Sequence, residues 1–153
     1  MALHFSKKEF EKRKSKTLNS MKELNLDALL MFRQESMFWL TGYDTFGYVF
    51  FQTLILDQKG NVILLTRAPD LRQAQNTSNI KDIRIWVDKD NSNPTEDLKI
   101  ILNELDLKGK KIGIEYEAYG MTGRNALKLN KSLDNYCDVE DQSELITKHR
   151  VIK

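Results

Sequence analysis

The order in which strand and helix patterns follow one another is the feature that most restricts the fold of this chain. Residues 28–32 form a continuous apolar run, which is typical of a strand covered on both faces. Residues 48–56 and 61–66 have the composition of strands, and the turn residues 57–60 between them predict a β-hairpin. After residue 69, helix and strand patterns alternate. A hairpin followed by such repeats predicts an α/β domain, with a mixed sheet of about six strands flanked by helices.

Several elements begin or end at residues with clear capping chemistry. Ser6 and Glu9 form a capping box at the start of the first helix, and Asn25 suits a left-handed stop after it. Pro94 and Thr122 each favour the start of a later helix. The apolar stripe of the first helix is expected at Phe10, Thr17, Leu18, Met21 and Leu24. Further strands are predicted at residues 83–87, 112–115 and 136–139, and further helices at residues 36–40, 69–75, 94–105, 122–133 and 141–150.

The overall composition indicates one globular domain spanning residues 1–153. Hydrophobic residues make up 41% and charged residues 30% of the chain, which is neither a disordered nor a membrane-embedded composition. The 24 basic and 22 acidic residues give a net charge of +2, which is too balanced for a strong nucleic-acid or membrane partner. No secretion signal is visible and the single Cys137 suits a reducing compartment, so we expect a cytoplasmic protein.

The chain offers no complete set of reactive or metal-binding residues. His4 and His149 have no carboxylate or cysteine at ligand spacing, so we expect no zinc site. Residues 88–92 resemble the start of a calcium loop, but Lys99 stands where a bidentate glutamate is needed, so we exclude that site. No nucleophile elbow, phosphate-binding loop or dinucleotide fingerprint is present. We therefore expect no catalytic residue and no metal ligand in this chain.

Two glutamates mark the end of the strand predicted at residues 112–115. Glu115 and Glu117 alternate and could point the same way, which would allow a paired-carboxylate role. The alternative, which we favour, is that both are solvated charges at a strand end. A nuclease of the ribonuclease-H type would need a carboxylate cluster, for which only Glu115, Asp88 and Asp138 are available. The charge balance disfavours that third hypothesis.

An aromatic segment at residues 36–48 interrupts the otherwise ordinary pattern. It holds five aromatic residues and two glycines between two predicted core strands. Aromatic side chains on a loop present stiff apolar area at modest entropic cost, which suits a pocket wall or an interface. Residues 38–40 are expected to close one end of the core. An exposed, functional position and a core position both remain open for Tyr43, Phe46 and Tyr48.

Two sequence motifs, one after the other along the chain, resemble the N-terminal domain of creatinase and of the Xaa-Pro peptidases, which include prolidase and aminopeptidase P. The first is Leu-Asp-Ala-Leu-Leu at residues 26–30, and the second is Ser-Met-Phe-Trp-Leu-Thr-Gly-Tyr at residues 36–43. The match continues through the hairpin, residues 65–67, Asp70, residues 111–115 and Arg-Val-Ile-Lys at residues 150–153. The resemblance covers nearly the whole chain and implies the ribonuclease-H-like fold of that domain.

The resemblance implies a pita-bread catalytic domain that follows this one. In the peptidases, that domain holds two divalent metal ions (Mn, Co or Zn) through carboxylates and a histidine. None of these ligands lies in this sequence, so the resemblance implies a non-catalytic domain whose partner is its own C-terminal catalytic domain. The substrate would be a peptide or a small amide. Because residues 150–153 look like the domain junction, we expect the chain to be a fragment or an excised domain.

The same resemblance implies a homodimer in which loops of this domain reach over the partner's active site. By position, the residues that would cap a substrate are Tyr43, Asp44, Phe46, Tyr48 and Arg67. Arg67 could pair with a substrate carboxylate through its guanidinium fork. The alternative, a surface salt bridge, is the one that we favour for Arg67.

The sequence departs from the family pattern in ways that bear on the substrate. Ser36 stands where the family often has asparagine, but both residues cap a turn, so the expected fold is unchanged. Met37 and the Tyr43-Asp44 pair are nearer to creatinase and ectoine hydrolase than to prolidase, and creatinase works without metal. The leading hypothesis is a non-catalytic domain that shapes a substrate pocket and supports dimerisation. The alternative is a free-standing ligand- or protein-binding module that uses aromatic residues 37–48.

Overall fold

The structure, a computed structural model, describes residues 3–151 and contains one six-stranded sheet. The strands are β1 Ala28–Met31, β2 Thr53–Asp57, β3 Val62–Arg67, β4 Asp82–Trp86, β5 Lys111–Ile114 and β6 Asp138–Asp141. Their order across the sheet is β4-β3-β2-β1-β5-β6. β2 is antiparallel to β1 and β3, whereas every other neighbouring pair is parallel. The predicted mixed sheet of about six strands and the predicted hairpin are confirmed.

Helices cover both faces of this sheet. They are α1 Lys7–Glu23, α2 Gln34–Thr41, α3 Leu71–Thr77, α4 Pro94–Glu104, α5 Gly123–Leu133 and α6 Leu145–His149, with a short 3-10 turn at Ala68–Asp70. Apolar side chains alternate along β1, so Leu30 packs with α4 and α5 while Leu29 packs with α1, α2, α3 and α6. The continuous apolar run predicted a strand covered on both faces, and this is what the two cores show.

The helix ends follow the predicted capping chemistry. Ser6 Oγ accepts a hydrogen bond from Glu9 N (3.2 Å), and Asn25 adopts a left-handed φ of 56° after α1. Thr122 caps α5 in the same way as Ser6 caps α1. One member of the predicted apolar stripe is wrong, because Leu24 is 40% exposed. The reason is that α1 ends at Glu23, so Leu24 lies in the cap and no longer follows the buried face.

The second strand starts later than predicted. β2 begins at Thr53 rather than at residue 48, because a turn closed by a hydrogen bond from Phe50 N to Gly47 O (3.0 Å) precedes it. Trp86 Nε1 donates to Phe51 O (2.9 Å), which occupies a carbonyl that a longer strand would offer to a neighbour. Residues 43–52 therefore form a long α2–β2 loop.

The sheet topology brings several loops to one end of the molecule. β1, β3, β4, β5 and β6 run in the same direction, so their carboxyl ends coincide, and the α2–β2 loop enters β2 at that same end. We call this the carboxyl end of the sheet. After β1 the chain continues to α2 on one face of the sheet, and after β5 it continues to α5 on the other face. Such a divergence opens a crevice between the loop that follows β1 and the loop that follows β5. Within residues 3–151, no helix is long and apolar enough to cross a membrane.

Candidate functional site

Exposed aromatic rings gather at the carboxyl end of the sheet. Phe46 is 85% exposed and Tyr119, from the loop that follows β5, is 72% exposed. The rings of Tyr48 and Tyr119 meet edge to face, with 5.7 Å between their centroids. Phe50 is 42% exposed and lies in the same loop as Phe46 and Tyr48. We call Phe46, Tyr48, Phe50 and Tyr119 the aromatic patch, since exposed apolar groups of this kind mark interaction surfaces.

The structure divides the predicted capping residues into exposed and buried ones. Asp44, Phe46 and Tyr48 are exposed. Of the two positions that the sequence left open for Phe46 and Tyr48, the structure shows the exposed one. An exposed position is wrong for Tyr43, whose ring is fully buried and whose hydroxyl donates to Gln52 Oε1 (2.9 Å). Burial raises the pKa of the Tyr43 phenol above its ordinary value, which keeps the hydroxyl a donor. Tyr43 therefore supports the loop from below.

Arg67 is the fifth predicted residue, and its charge is already paired within the chain. Its Nε donates to Asp70 Oδ2 (3.2 Å), and its Nη1 lies 3.6 Å from Asp88 Oδ2. The guanidinium also lies over the ring of Phe50, 3.5 Å from the centroid. In this arrangement Arg67 holds Phe50 in place by a cation–π contact and does not present an unpaired fork to a ligand.

Two glycines allow the loops of the carboxyl end to approach closely. A Cβ atom at Gly47 would lie 2.6 Å from Asp70 Oδ2, and one at Gly120 would overlap the carbonyl oxygen of Phe50. Neither space can hold an alanine without movement of the neighbouring group. The position of the aromatic patch therefore depends on backbone packing of the α2–β2 loop against the two loops beside it.

Glu115 corrects the expectation of two solvated carboxylates. Its side chain is fully buried, and its Oε1 accepts hydrogen bonds from the backbone N–H groups of Phe32 and Arg33, both at 3.1 Å. Its Oε2 accepts from Ser36 Oγ at 2.6 Å. Burial raises the pKa of Glu115 to about 7, although these hydrogen bonds and the Arg33 charge act in the opposite direction. The Ser36 position noted in the sequence thus serves a buried carboxylate.

Glu117, in contrast, is solvated as expected. Its side chain is 80% exposed and its Oε2 lies 3.7 Å from Arg33 Nη2. Because Glu115 and Glu117 have different surroundings and different partners, the alternation along the strand does not produce a carboxylate pair. Within residues 3–151, no three His, Cys, Asp or Glu side chains are grouped so that they could hold a metal ion.

A cleft of about 510 Å³ occupies the crevice between the loops that follow β1 and β5. Its lining residues are Arg33, Glu35, Tyr116, Glu117, Ala118 and Tyr119. Arg33 is held in this lining by two hydrogen bonds, from Nε to Glu117 O (3.0 Å) and from Nη1 to Thr147 Oγ1 (2.6 Å). The aromatic patch and this cleft share Tyr119, so they form one continuous candidate surface.

Sequence reasoning missed two residues that shape this surface and misplaced a third. Tyr119 lies in a short segment after β5 that carries no helix or strand pattern. Gln52 is buried beneath the aromatic patch, and its signal was a single amide that stands with Thr53 in a mostly apolar run. Glu115 was noticed but placed in solvent. Its signal was an acidic residue that directly follows the run Ile-Gly-Ile at residues 112–114.

Comparison with known proteins places the chain in a family and relates it to longer enzymes. A curated protein of Sinorhizobium fredii, described as the uncharacterized hydrolase/peptidase y4tM, is 27% identical over 158 aligned residues. The alignment covers 99% of this chain and 40% of that protein. The crystal structure of a dipeptidase from Pyrococcus horikoshii superposes with a TM-score of 0.73 at 23% identity. The superposition covers 92% of this chain and 37% of the dipeptidase chain.

A second crystal structure has the size of this chain. The Xaa-Pro aminopeptidase structure from Streptococcus pyogenes superposes with a TM-score of 0.75 at 19% identity, over 95% of this chain and 100% of that chain. These structures share the fold, whereas the chain spans less than half of the y4tM protein and of the Pyrococcus dipeptidase. The creatinase/prolidase N-terminal domain family matches residues 13–152. The chain therefore belongs to the creatinase/prolidase N-terminal domain family.

Proposed function

We propose that this chain is the non-catalytic N-terminal domain of a creatinase/Xaa-Pro peptidase-type C–N hydrolase, and that its aromatic patch closes over a substrate pocket. The observation that carries the proposal is the group of exposed rings at the carboxyl end of the sheet, of which Phe46 is 85% exposed. Ligands of open α/β sheets bind outside the carboxyl ends of the strands, so the position of the patch suits this role.

The aromatic patch would exclude water from the substrate pocket and limit the size of the substrate. Phe46 and Tyr48 would contact the substrate or the rim of its pocket, Asp44 would face the rim, and Arg67 would hold Phe50 through its ring contact. Exclusion of water strengthens the electrostatic interactions inside a closed site. Bond chemistry would belong to a C-terminal catalytic domain, which in the peptidase branch would bind two divalent metal ions. We assign none of their ligands to this chain.

The substrate and the assembly follow from the same proposal. Relatives described as a dipeptidase and an Xaa-Pro aminopeptidase favour a peptide, or a small amide of similar size, as the substrate. A homodimer would bring the aromatic patch of one protomer to the catalytic domain of the other. The cytoplasm is the compartment that we propose, because the single cysteine is compatible with reducing conditions.

The test is steady-state kinetics of the full-length protein with Phe46→Ala and Tyr48→Ala combined. We expect KM for peptide substrates to rise about tenfold, which corresponds to about 1.4 kcal/mol of lost binding. The matched control is Leu127→Ala, since Leu127 is 73% exposed on the outer surface of α5, and its KM should equal that of the parent. An unchanged KM and unchanged substrate preference in the double variant would contradict the capping role.

A free-standing binding module remains the alternative function. The aromatic patch would serve such a module equally well. The reading frame beyond Lys153 separates the two functions. A following domain with two Asp, one His and two Glu as metal ligands would support the hydrolase, and a stop codon would support the binding module.

A further inference from the structure

A chain of buried polar groups lies beneath the aromatic patch. Tyr43 Oη and Thr66 Oγ1 both donate to Gln52 Oε1, at 2.9 and 3.1 Å. Gln52 Nε2 donates to Thr45 Oγ1 at 3.1 Å, and the same hydroxyl oxygen accepts from Gly47 N at 2.9 Å. All five residues are buried, with Gln52 only 2% exposed. Hydrogen bonds thus join Tyr43, near the start of the α2–β2 loop, to Gln52 at its end. Thr66 joins the same loop to β3.

The Gln52 amide lies between the hydroxyl groups of this network. Its carbonyl oxygen accepts from the two hydroxyl groups of Tyr43 and Thr66, and its NH₂ group faces Thr45. The Tyr43 phenol has an ordinary pKa of 10 and is protonated at neutral pH, and burial raises its pKa further. Every polar atom of the Gln52 side chain has a partner, which is the condition under which a buried polar network rigidifies its surroundings.

We propose that Gln52 is a positioning residue that preorganises the α2–β2 loop and thereby sets where Phe46 and Tyr48 are presented. Gln52 itself touches no ligand, because it is buried below the loop. It acts through Thr45, whose hydroxyl holds Gly47, and Phe46 projects to solvent from between those two residues. The consequence for substrate capping rests on the proposed function, whereas the ordering of the loop does not.

The neighbouring residue provides a contrast. Thr53 is as buried as Gln52, yet its Oγ1 has no hydrogen-bond partner, so it contributes packing only. Thr53→Val preserves the shape and removes a hydroxyl that nothing uses. It is therefore the matched control for Gln52→Met, which preserves length but removes the acceptor of two hydrogen bonds and the donor of a third.

Amide hydrogen exchange measured by NMR on the 153-residue chain tests the ordering role. Gly47 N and Phe50 N are hydrogen-bonded within the loop, and backbone amides of β2, such as Ile55, report the stability of the sheet. In Gln52→Met, the exchange of Gly47 and Phe50 should accelerate at least tenfold more than the exchange of Ile55. In Thr53→Val, the ratio of loop to strand exchange should stay at the parent value. Equal acceleration of loop and strand amides in Gln52→Met would overturn the proposal.

Tyr43→Phe covers the case in which Gln52→Met fails to fold. This variant removes one hydroxyl and leaves the buried ring, and the loop amides should exchange about threefold faster relative to Ile55. No relative change in Tyr43→Phe would overturn the proposal if Gln52→Met cannot be measured.

Kinetics of the full-length protein separates this proposal from the proposed function. With Gln52→Met, KM for peptide substrates should rise severalfold while kcat falls less than twofold, and Thr53→Val should match the parent. A loosened loop with unchanged KM would leave the positioning role intact and remove the capping role. An unaltered loop in Gln52→Met, together with a raised KM in the Phe46 and Tyr48 variant, would retain capping and exclude positioning by Gln52.

Discussion

A single carboxylate joins two distant parts of the chain at the carboxyl end of the sheet. α2 begins without a side-chain cap from its own N-cap residue, Arg33. Glu115, at the end of β5, instead holds the start of this helix from outside, since it accepts from the backbone N–H of Arg33 and from the hydroxyl of Ser36. The start of α2, and with it the approach to the aromatic patch, is therefore fixed by a residue 82 positions away along the sequence.

The first prediction concerns the pH dependence of this contact. The pKa of Glu115 is raised from 4.5 to about 7 in the folded chain, so the folded state binds its proton more tightly than the unfolded state does. Its contribution to the free energy of unfolding is then complete below about pH 4.5. It decreases by up to about 3 kcal/mol as the pH rises through 7. Urea unfolding of the parent chain at pH 5 and pH 8 should show this decrease.

Glu115→Gln isolates the effect of that one group. The amide oxygen can still accept from the backbone N–H groups of Phe32 and Arg33, and Ser36 can accept from the new NH₂ group. The variant should therefore lose less stability than the parent between pH 5 and pH 8. Identical pH dependence in the two chains would show that Glu115 does not titrate in this range.

Among the elements, those with local signals could be predicted and those set by distant contacts could not. The starts of α1 and α5 were predicted correctly because their caps, Ser6 and Thr122, lie next to the helices that they begin. The start of β2 was misplaced because the carbonyl of Phe51 is taken by the indole of Trp86, 35 residues later. The hydrophobic pattern of residues 48–56 alone could not predict a contact with a residue so far along the chain.

The same distinction holds for the candidate site. The aromatic composition of residues 36–48 singled out this segment but left core and exposed positions open, and the structure exposes Phe46 and Tyr48. The burial of Tyr43 could not be predicted, because it depends on Gln52 and Thr66 lying below the loop. Composition therefore identified the segment, whereas the direction of each side chain required the tertiary structure.

The next prediction concerns the packing of the α2–β2 loop against the turn that precedes α3. Gly47→Ala would place a Cβ atom 2.6 Å from Asp70 Oδ2, a carboxylate that is held by Arg67 and cannot move freely. We expect a loss of about 1–3 kcal/mol in the free energy of unfolding, because overpacking forces the loop or the ion pair to shift. Urea unfolding at neutral pH measures the loss.

Gly123→Ala is the control for this substitution. A Cβ at Gly123 meets no atom within 4 Å, and the residue lies in the first turn of α5, where alanine is tolerated. Its stability should equal or slightly exceed that of the parent. Equal stability of the Gly47 and Gly123 variants would mean that Asp70 and Arg67 do not fix the loop.

At the scale of the whole molecule, exposed apolar side chains are concentrated at one end. Both faces of the sheet are covered by helices, so its apolar residues are buried in two cores. Most of the large hydrophobic side chains that remain exposed in residues 3–151 belong to the loops at the carboxyl end. They are Phe46, Tyr48, Val49, Phe50, Val87 and Tyr119. Because helices cover both faces of the sheet and one end stays apolar, that end is the part of the domain best suited to contact another molecule or domain.

The last prediction follows from this distribution and concerns the full-length protein with a bound substrate analogue. If the carboxyl end closes over a substrate pocket, a non-hydrolysable peptide analogue should slow hydrogen exchange of residues 44–50 and 117–119 severalfold, as measured by mass spectrometry. Residues 17–23 at the end of α1 lie at the opposite end of the sheet, where Lys111 Nζ at the start of β5 donates to Leu24 O (3.2 Å), so their exchange should not change. Ligand binding that stabilised the whole domain would instead slow exchange in residues 17–23 and in the loops together. Exchange in residues 44–50 that is unaffected by a saturating analogue would mean that the aromatic patch contacts something other than the substrate pocket.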